Sequence, residues 1–486
     1  MRTGKIPVLL VRFKKLELEW LVKVCFINPP ITPYRLIMRN FDCATESKGN
    51  YLYQPYDFLL MSAKVPEHWP LLFIDAVADK LSDDAVLRQV RDDAPEVIVC
   101  ALAATNWKQD LGFLKRLRGE FPAARLLVFG DLFIEDHACR EVEKYCEAVL
   151  TSPVMFEFSL LEKLSDEGLR QFEGAGIRQD QFYQRKDLKN PVEFSLQRVR
   201  HELFLHPRYR WPFARHFRYT TVFTAWGCPY SCSYCILNKF PNYWRQSEEI
   251  LEEMKQIHQT GIREIYIGDR SFGLPTANVK KLLEEMIANQ FHFSWSTYFH
   301  PNQYSPELLE LMKKSGCHTI IVGVESKNLN SLKQFGRHVR QDQFFQMIEH
   351  ARKLQINICG DFILGLPKEN RDDIEETIAF SRELGLAYAS FNIAAPLAGS
   401  SIRQEAQSIG LMKDNEEEFD SFGRNKIVSV CGVSDKELRS LRNKAVMSFY
   451  FRPGYLLKRL SHIKNWEHFL IQYQEAQSLL LKSLGF

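Results

Sequence analysis

Three cysteines, Cys228, Cys232 and Cys235, stand together in the stretch Cys228-Pro229-Tyr230-Ser231-Cys232-Ser233-Tyr234-Cys235. Separations of four and three residues let one turn-rich loop aim three thiolates at one centre, and Gly227 and Pro229 restrict its path. Soft thiolate ligands select zinc or iron–sulfur clusters. A closed zinc site needs a fourth ligand, and the twenty residues after Cys235 contain neither cysteine nor histidine, so zinc is the lesser alternative. A four-iron cluster on three cysteines leaves one iron without a protein ligand and open to a small molecule. The chain's other cysteines are scattered, and eleven in 486 residues is far below a disulfide scaffold, so reduced thiols are expected, with Cys317 and Cys359 as core residues.

A loop with this task must be held by strands. Thr221 to Thr224 reads as one that ends at Gly227, and further strands are expected near 264–269, 292–297, 318–324, 356–363 and 388–394, six in all. Between them lie amphipathic helices: Val279, Leu282, Leu283, Met286 and Ile287 form one apolar stripe. Ser305-Pro306-Glu307 and Asn370 with Asp373 read as helix starts. Repeated βα units with right-handed crossovers curl into a barrel or part of one, with active residues at the carboxyl ends of its strands. Upstream, Leu21 to Ile27, Leu71 to Ile74, Val97 to Ala101 and Leu126 to Phe129 alternate with helix-like stretches, a Rossmann-like parallel sheet whose loops at Asn28, Asp75, Ala103 to Asn106 and Gly130-Asp131 gather at one edge. A purely structural role for this module is the alternative.

The fold class is therefore α/β. Residues 1–20 read as an extension, 21–165 as the Rossmann-like domain, 166–214 as a linker, 215–400 as a partial (β/α)6 barrel and 401–486 as a helical region. Composition fits a soluble globular chain, with 45% hydrophobic and 25% charged residues. A net charge of +3 is too small to draw nucleic acid, and the linker run His206-Pro207-Arg208-Tyr209-Arg210-Trp211-Pro212-Phe213 reads as a segment packed across two domains rather than a base-stacking surface. Lys14, Lys15 and the charge-broken Leu16-Glu17-Leu18-Glu19 interrupt any signal-peptide core, so a cytoplasmic location is expected. The run Phe449 to Leu460 mixes aromatics, leucines and cations; packing on the barrel is the first reading and contact with a membrane surface the second.

The C-x3-C-x2-C loop after the first barrel strand, with Tyr234 before the third cysteine, resembles the mark of the radical S-adenosylmethionine (SAM) superfamily. The resemblance continues through Tyr266 to Asp269, Val322 to Ser326, Gly360 to Pro367 and Ala395 to Ser400, covering about 220 to 400. The N-terminal module resembles the cobalamin-binding-type domain of one branch, which includes hopanoid- and tetrapyrrole-modifying members. This implies that Cys228, Cys232 and Cys235 hold a 4Fe-4S cluster whose open iron chelates SAM, and that cleavage of SAM yields a 5′-deoxyadenosyl radical. It further implies that Tyr234 lies near adenine, Asp269 near the SAM amine, Glu325 near SAM, and Gly360 and Gly365 beside the adenosine. No side chain is then catalytic in its own right, since the radical derives from the cofactor.

The sequence departs from the branch at Trp226, where arginine is frequent, at Arg270, where a second acid is usual, and at Ser296-Thr297-Tyr298, a strand that often ends in arginine. The N-terminal module has no D-x-H-x-x-G, and Gly130-Asp131 stands where paired glycines are usual. The function implied is cobalamin-dependent methylation of an unactivated carbon in a hydrophobic, lipid-like or natural-product substrate. Cobalamin-independent cyclisation, oxidation or carbon–carbon coupling is the alternative, and a non-catalytic metal-stabilised binding protein the remote one. The implied partners are a one-electron reductant of flavodoxin or ferredoxin type and a small-molecule or lipid-like substrate.

Overall fold

The computed structural model describes residues 22–39, 51–150, 152–163, 165, 192–240, 242–413, 419, 427–461, 463 and 466–483. The expected extension 1–20 and residues 166–191 of the expected linker lie outside them. The first sheet consists of β1 (Val24–Asn28), β2 (Leu71–Asp75), β3 (Val97–Ala101), β4 (Arg125–Phe129) and β5 (Ala148–Leu150). They pair in parallel in the order β2-β1-β3-β4-β5, the doubly wound order with its switch point between β1 and β3. Strands such as Val-Cys-Phe-Ile-Asn and Val-Ile-Val-Cys-Ala are apolar almost throughout because helices cover both faces and all their residues are buried. β5 is too short to stand out as an apolar run, and the sequence reading did not include it.

The edge loops of this sheet do gather. The Asn28 amide donates to Asp75 Oδ1 at 2.8 Å, and Ala104 N donates to Asp131 Oδ1 at 2.9 Å. Arg39 bridges the edge, with an ion pair to Asp110 at 2.7 Å and hydrogen bonds to Asn28 Oδ1 and Pro29 O. Both members of that pair are buried, so loss of either would strand a charge without its partner.

Two-residue strands β6 (Val192–Glu193), β8 (Ala225–Trp226) and β9 (Tyr243–Trp244) form a small sheet between the two larger ones, which no periodicity announces. The barrel sheet comprises β7 (Tyr219–Val222), β10 (Glu264–Phe272), β11 (Ser294–Phe299), β12 (Cys317–Glu325), β13 (Asn357–Leu364) and β14 (Tyr388–Ile393). All six expected strands are present, paired in parallel in sequence order from β7 to β14. The helix starts follow the sequence reading. Ser305 Oγ accepts from Leu308 N at 3.2 Å, and Asn370 with Asp373 forms a capping box.

Six strands leave the barrel open between β7 and β14, and neighbouring chain closes it. Gln54 caps the free edge of β7: its side-chain carbonyl accepts from Thr221 N at 2.9 Å and its amide donates to Thr220 Oγ1 at 3.2 Å. The described end of the linker packs across both α/β units and reaches into the lumen. Trp211 stacks on Tyr266 with ring centroids 3.6 Å apart and donates its indole N–H to Ser296 Oγ at 2.8 Å. At the amino end of the strands, buried Glu264 accepts from Arg215 N at 2.9 Å and pairs with His318 at 2.8 Å. The lumen is thus closed below, and its carboxyl end is free for a site. After β14 no strand longer than an isolated pair is described, and the helices Ser401–Ser408, Asp435–Tyr450, Pro453–Ser461 and Trp466–Ser483 follow.

Candidate functional site

The three cysteines stand at the top of the barrel on a loop pinned from four sides. Gly227, at φ 91°, turns the chain out of β8. The Asn238 side chain donates to Cys232 O at 3.2 Å and to Cys235 O at 2.6 Å, tying the loop into a compact turn. Ser233 N donates to Phe335 O at 2.9 Å, and Ser401 N donates to Ser233 O at 2.8 Å. The Tyr230 ring stacks on His300 at 3.7 Å. Gly336 lies against the loop at φ 69°, where a Cβ would meet Ser231 O at 3.2 Å. Asn238 and Gly336 escaped the sequence reading because neither carries reactive chemistry.

Burial pushes the Cys235 thiol up to about 12, with the charge of Cys228 acting in the same direction. Its thiolate therefore needs cationic compensation, which a metal centre would supply. Arg337 is also at hand: Nη1 lies 3.9 Å from Cys232 Sγ. Among the described residues no three His, Cys, Asp or Glu side chains are gathered closely enough for a single metal ion. A cubane places each thiolate on a different iron and asks for no such convergence.

Beside the loop, Glu325 ends β12 at φ 63°, a left-handed conformation costly for a residue with a Cβ. Its carboxylate lies 3.6 Å from Arg337 Nη2, and Arg337 also donates to Gly323 O. A side chain on Gly323 would collide with both Glu325 and Arg337. Burial raises the Glu325 carboxyl to about 7; Arg337 and Tyr234 oppose the shift and Asp361 adds to it. Burial works against the Arg337 charge, but Tyr234, Glu325 and Cys232 outweigh it and its pKa rises. Arg337 Nε is buried with no hydrogen-bond partner, an orphaned donor.

These groups open onto one cavity of about 750 Å³. Cys228, Cys232, Cys235, Tyr234, Glu325 and Arg337 line it, with Arg270 and Asp361. Met38, Tyr51 and Tyr53 reach it from the N-terminal module, and Leu456, Leu460 and Tyr473 from the last two helices.

The other expected site residues lie outside that lining. Asp269 is 1% exposed and accepts from Thr224 N at 2.8 Å, Ala225 N at 3.0 Å and the Thr224 hydroxyl, which fixes the strand leading into the cysteine loop. A Cβ on Gly360 would meet Leu386 at 2.6 Å, and one on Gly365 would meet Leu438 at 2.9 Å, so both glycines face packed side chains. Glu369, absent from the sequence reading, holds the turn at Gly365: it accepts from Gly365 N at 3.1 Å, Leu366 N at 3.0 Å and Ser326 Oγ at 2.6 Å. Only a close look at acids after a Gly-Leu-Pro turn could have flagged it.

Burial raises Asp269 from 3.8 to about 6, while bonds from Thr224 and Ala225 hold it down. Between those two values the folded chain holds the extra proton. The group's contribution to stability is therefore full below 3.8 and lost as pH rises through about 6. Asp269→Asn keeps an acceptor for both amides and is expected to retain iron while removing that slope. Asp269→Ala leaves buried donors unpaired and is expected to cost about 2–4 kcal/mol and to lower iron incorporation. Denaturant titrations across pH 4 to 7 with iron analysis check both; equal iron in Asp269→Ala and the parent would defeat the positioning role.

Residues 224–381 match the radical SAM superfamily. The chain is 29% identical over 242 residues to an uncharacterised methyltransferase of Pyrococcus horikoshii, covering 49% of this chain and 52% of that protein. It is 24% identical over 248 residues to cytidylyl-2-hydroxyethylphosphonate methyltransferase of Streptomyces wedmorensis, covering 47% and 45%. The chain thus spans about half the length of the curated relatives it matches. Its fold is shared with the radical SAM methyltransferase TsrM of Kitasatospora setae, solved with cobalamin and a [4Fe-4S] cluster, at a TM-score of 0.63 and 13% identity over 95% of this chain and 100% of that one.

Proposed function

We propose that this chain, a radical SAM superfamily member through residues 224–381, is an enzyme that methylates an unactivated carbon of a hydrophobic substrate with SAM, a 4Fe-4S cluster and cobalamin. The observation that carries this reading is the shared cavity. Three thiols, the Arg337 side chain and a wide apolar wall line the same space. Three thiols on one loop suit the cluster, and the Arg337 guanidinium suits the SAM carboxylate. For cobalamin, Met38, Tyr51, Tyr53 and Trp211 offer broad apolar surface to the similarly apolar faces of a corrin. The TsrM fold and the methyltransferase relatives support the same class.

Bound together, these cofactors supply a carbon-centred radical and a transferable methyl group. The chain's own side chains do the rest. Cys228, Cys232 and Cys235 would hold the cluster, with Asn238 keeping their loop in shape. Arg337 would bind an anionic group and Glu325 a cationic one, a pairing that matches the two charges of an amino-acid moiety. Tyr234 lies next to both. Phe213, Tyr388 and Tyr455 add apolar ring surface to the lining, which limits water where a radical would otherwise meet it. An apolar lining of this extent favours a hydrophobic substrate.

The test is anaerobic reconstitution with iron, sulfide and cobalamin, a low-potential reductant, and SAM labelled at its methyl group. The expected results are 5′-deoxyadenosine, stoichiometric cobalt and a labelled product carrying one added methyl. Radical formation with no bound cobalt would overturn the methylation reading in favour of cyclisation, oxidation or coupling. No 5′-deoxyadenosine with any candidate substrate would overturn both.

A further inference from the structure

We propose that His300 is a second hydrogen-bond donor, beside Arg337, to the carboxylate of SAM. The inference rests on the reading of the cavity as a SAM site and adds to it a residue from a different strand. His300 directly follows β11, lines the cavity and is only 5% exposed.

Its tautomer follows from the next turn of chain. His300 Nδ1 accepts from Asn302 N at 3.1 Å, capping the short turn Pro301–Gln303. A nitrogen that accepts from an amide carries no proton, so the ring is neutral and its one N–H sits on Nε2. Burial, with the Arg337 charge acting in the same direction, pushes the imidazole down to about 2 and keeps it in that form. Nε2 is on the side of the ring away from the backbone and meets no acceptor among the described residues. A buried donor left without a protein partner costs free energy until a water or a ligand takes its proton.

The ring is fixed beside the cysteine loop. It stacks on Tyr230 with centroids 3.7 Å and planes 20° apart, and Gln303 holds the Tyr230 hydroxyl from the other side. Tyr230 stands between Cys228 and Cys232, and Arg337 Nη1 lies 3.9 Å from Cys232 Sγ. His300 and Arg337 therefore reach the same stretch of loop from separate elements, near enough for the arginine charge to act on the imidazole. One donor is cationic and the other neutral, and neither can accept, so together they select an anion with two oxygens to share. The carboxylate is the one anionic group of SAM, and Glu325 on the far side of Arg337 suits its ammonium.

The experiment measures, on the cluster-loaded chain without reductant, dissociation constants for SAM and for decarboxylated SAM in the parent, His300→Phe and His300→Gln. Phenylalanine keeps a ring against Tyr230 and removes the N–H, whereas glutamine returns an amide N–H near the place of Nε2. His300→Phe is expected to weaken SAM about tenfold and His300→Gln to recover part of that loss. Neither should change the affinity for decarboxylated SAM, because the lost bond needs the carboxylate. Iron content and melting temperature of the same samples are expected to match the parent. Were phenylalanine to lower the iron content, His300→Asn, which keeps the cap on Asn302 but lacks the reach of Nε2, gives the same comparison. Equal SAM affinity in the variant and the parent, or a loss that falls equally on decarboxylated SAM, would overturn the assignment of His300 and leave the SAM reading standing. A cluster-loaded parent that binds no SAM would overturn both.

Discussion

Alanine at all three of Cys228, Cys232 and Cys235 is expected to take iron from about four atoms per reconstituted chain to none, and to abolish 5′-deoxyadenosine formation. The loss should be complete because each thiolate would serve a different iron, and among the described residues no other His, Cys, Asp and Glu side chains are gathered to replace them. Folding should survive. The loop is tied by Asn238, Ser233, Ser401 and the Tyr230–His300 stack, none of which needs the sulfurs. Circular dichroism and a melting curve measured beside the iron assay separate the two effects. Full iron occupancy in the triple variant would refute the cluster assignment.

Arg337→Ala is expected to weaken SAM binding about 10- to 100-fold while iron stays bound, the loss appropriate to one charge-assisted pair in a buried site. The guanidinium is held by Gly323 O and flanked by Glu325 and Cys232 Sγ at the cavity wall, which keeps it oriented beside the cysteine loop. Arg337→Lys should recover only part of the affinity, since an ammonium cannot reach Gly323 O and a ligand in one planar fork. The effect should fall on the SAM dissociation constant more than on turnover at saturating SAM. Unchanged SAM affinity in Arg337→Ala would remove this residue from the cofactor site. Its substitution leaves Glu325 without a counter-charge, but a carboxyl near 7 can take up a proton and limit the damage.

Much of this architecture was legible along the chain. Buried parallel strands leave unbroken apolar runs, and the runs at Val97 and Leu126 announced themselves, as did the six of the barrel. The three-cysteine loop was plain because its chemistry is local, with three thiols inside eight residues. β5 and the small sheet of β6, β8 and β9 were not, since two or three residues carry no period. Of the residues expected around SAM, Tyr234 and Glu325 line the cavity, whereas Asp269, Gly360 and Gly365 support its walls. A strand-end acid looks the same in sequence whether it points at a ligand or back at its neighbour's amides.

By itself, then, the sequence determined the two α/β units, their order and the grouping of three thiols on one loop, because each is encoded by spacing within one segment. Tertiary structure alone decided that Arg337, from the loop after helix Leu329–Gln334, stands beside Cys232, more than a hundred residues earlier, and that Trp211 plugs the lumen. It also decided that the last helices turn leucines toward solvent at the cavity rim. Such contacts join segments whose separation is set by loop lengths and packing, and no local periodicity records which distant side chain will arrive.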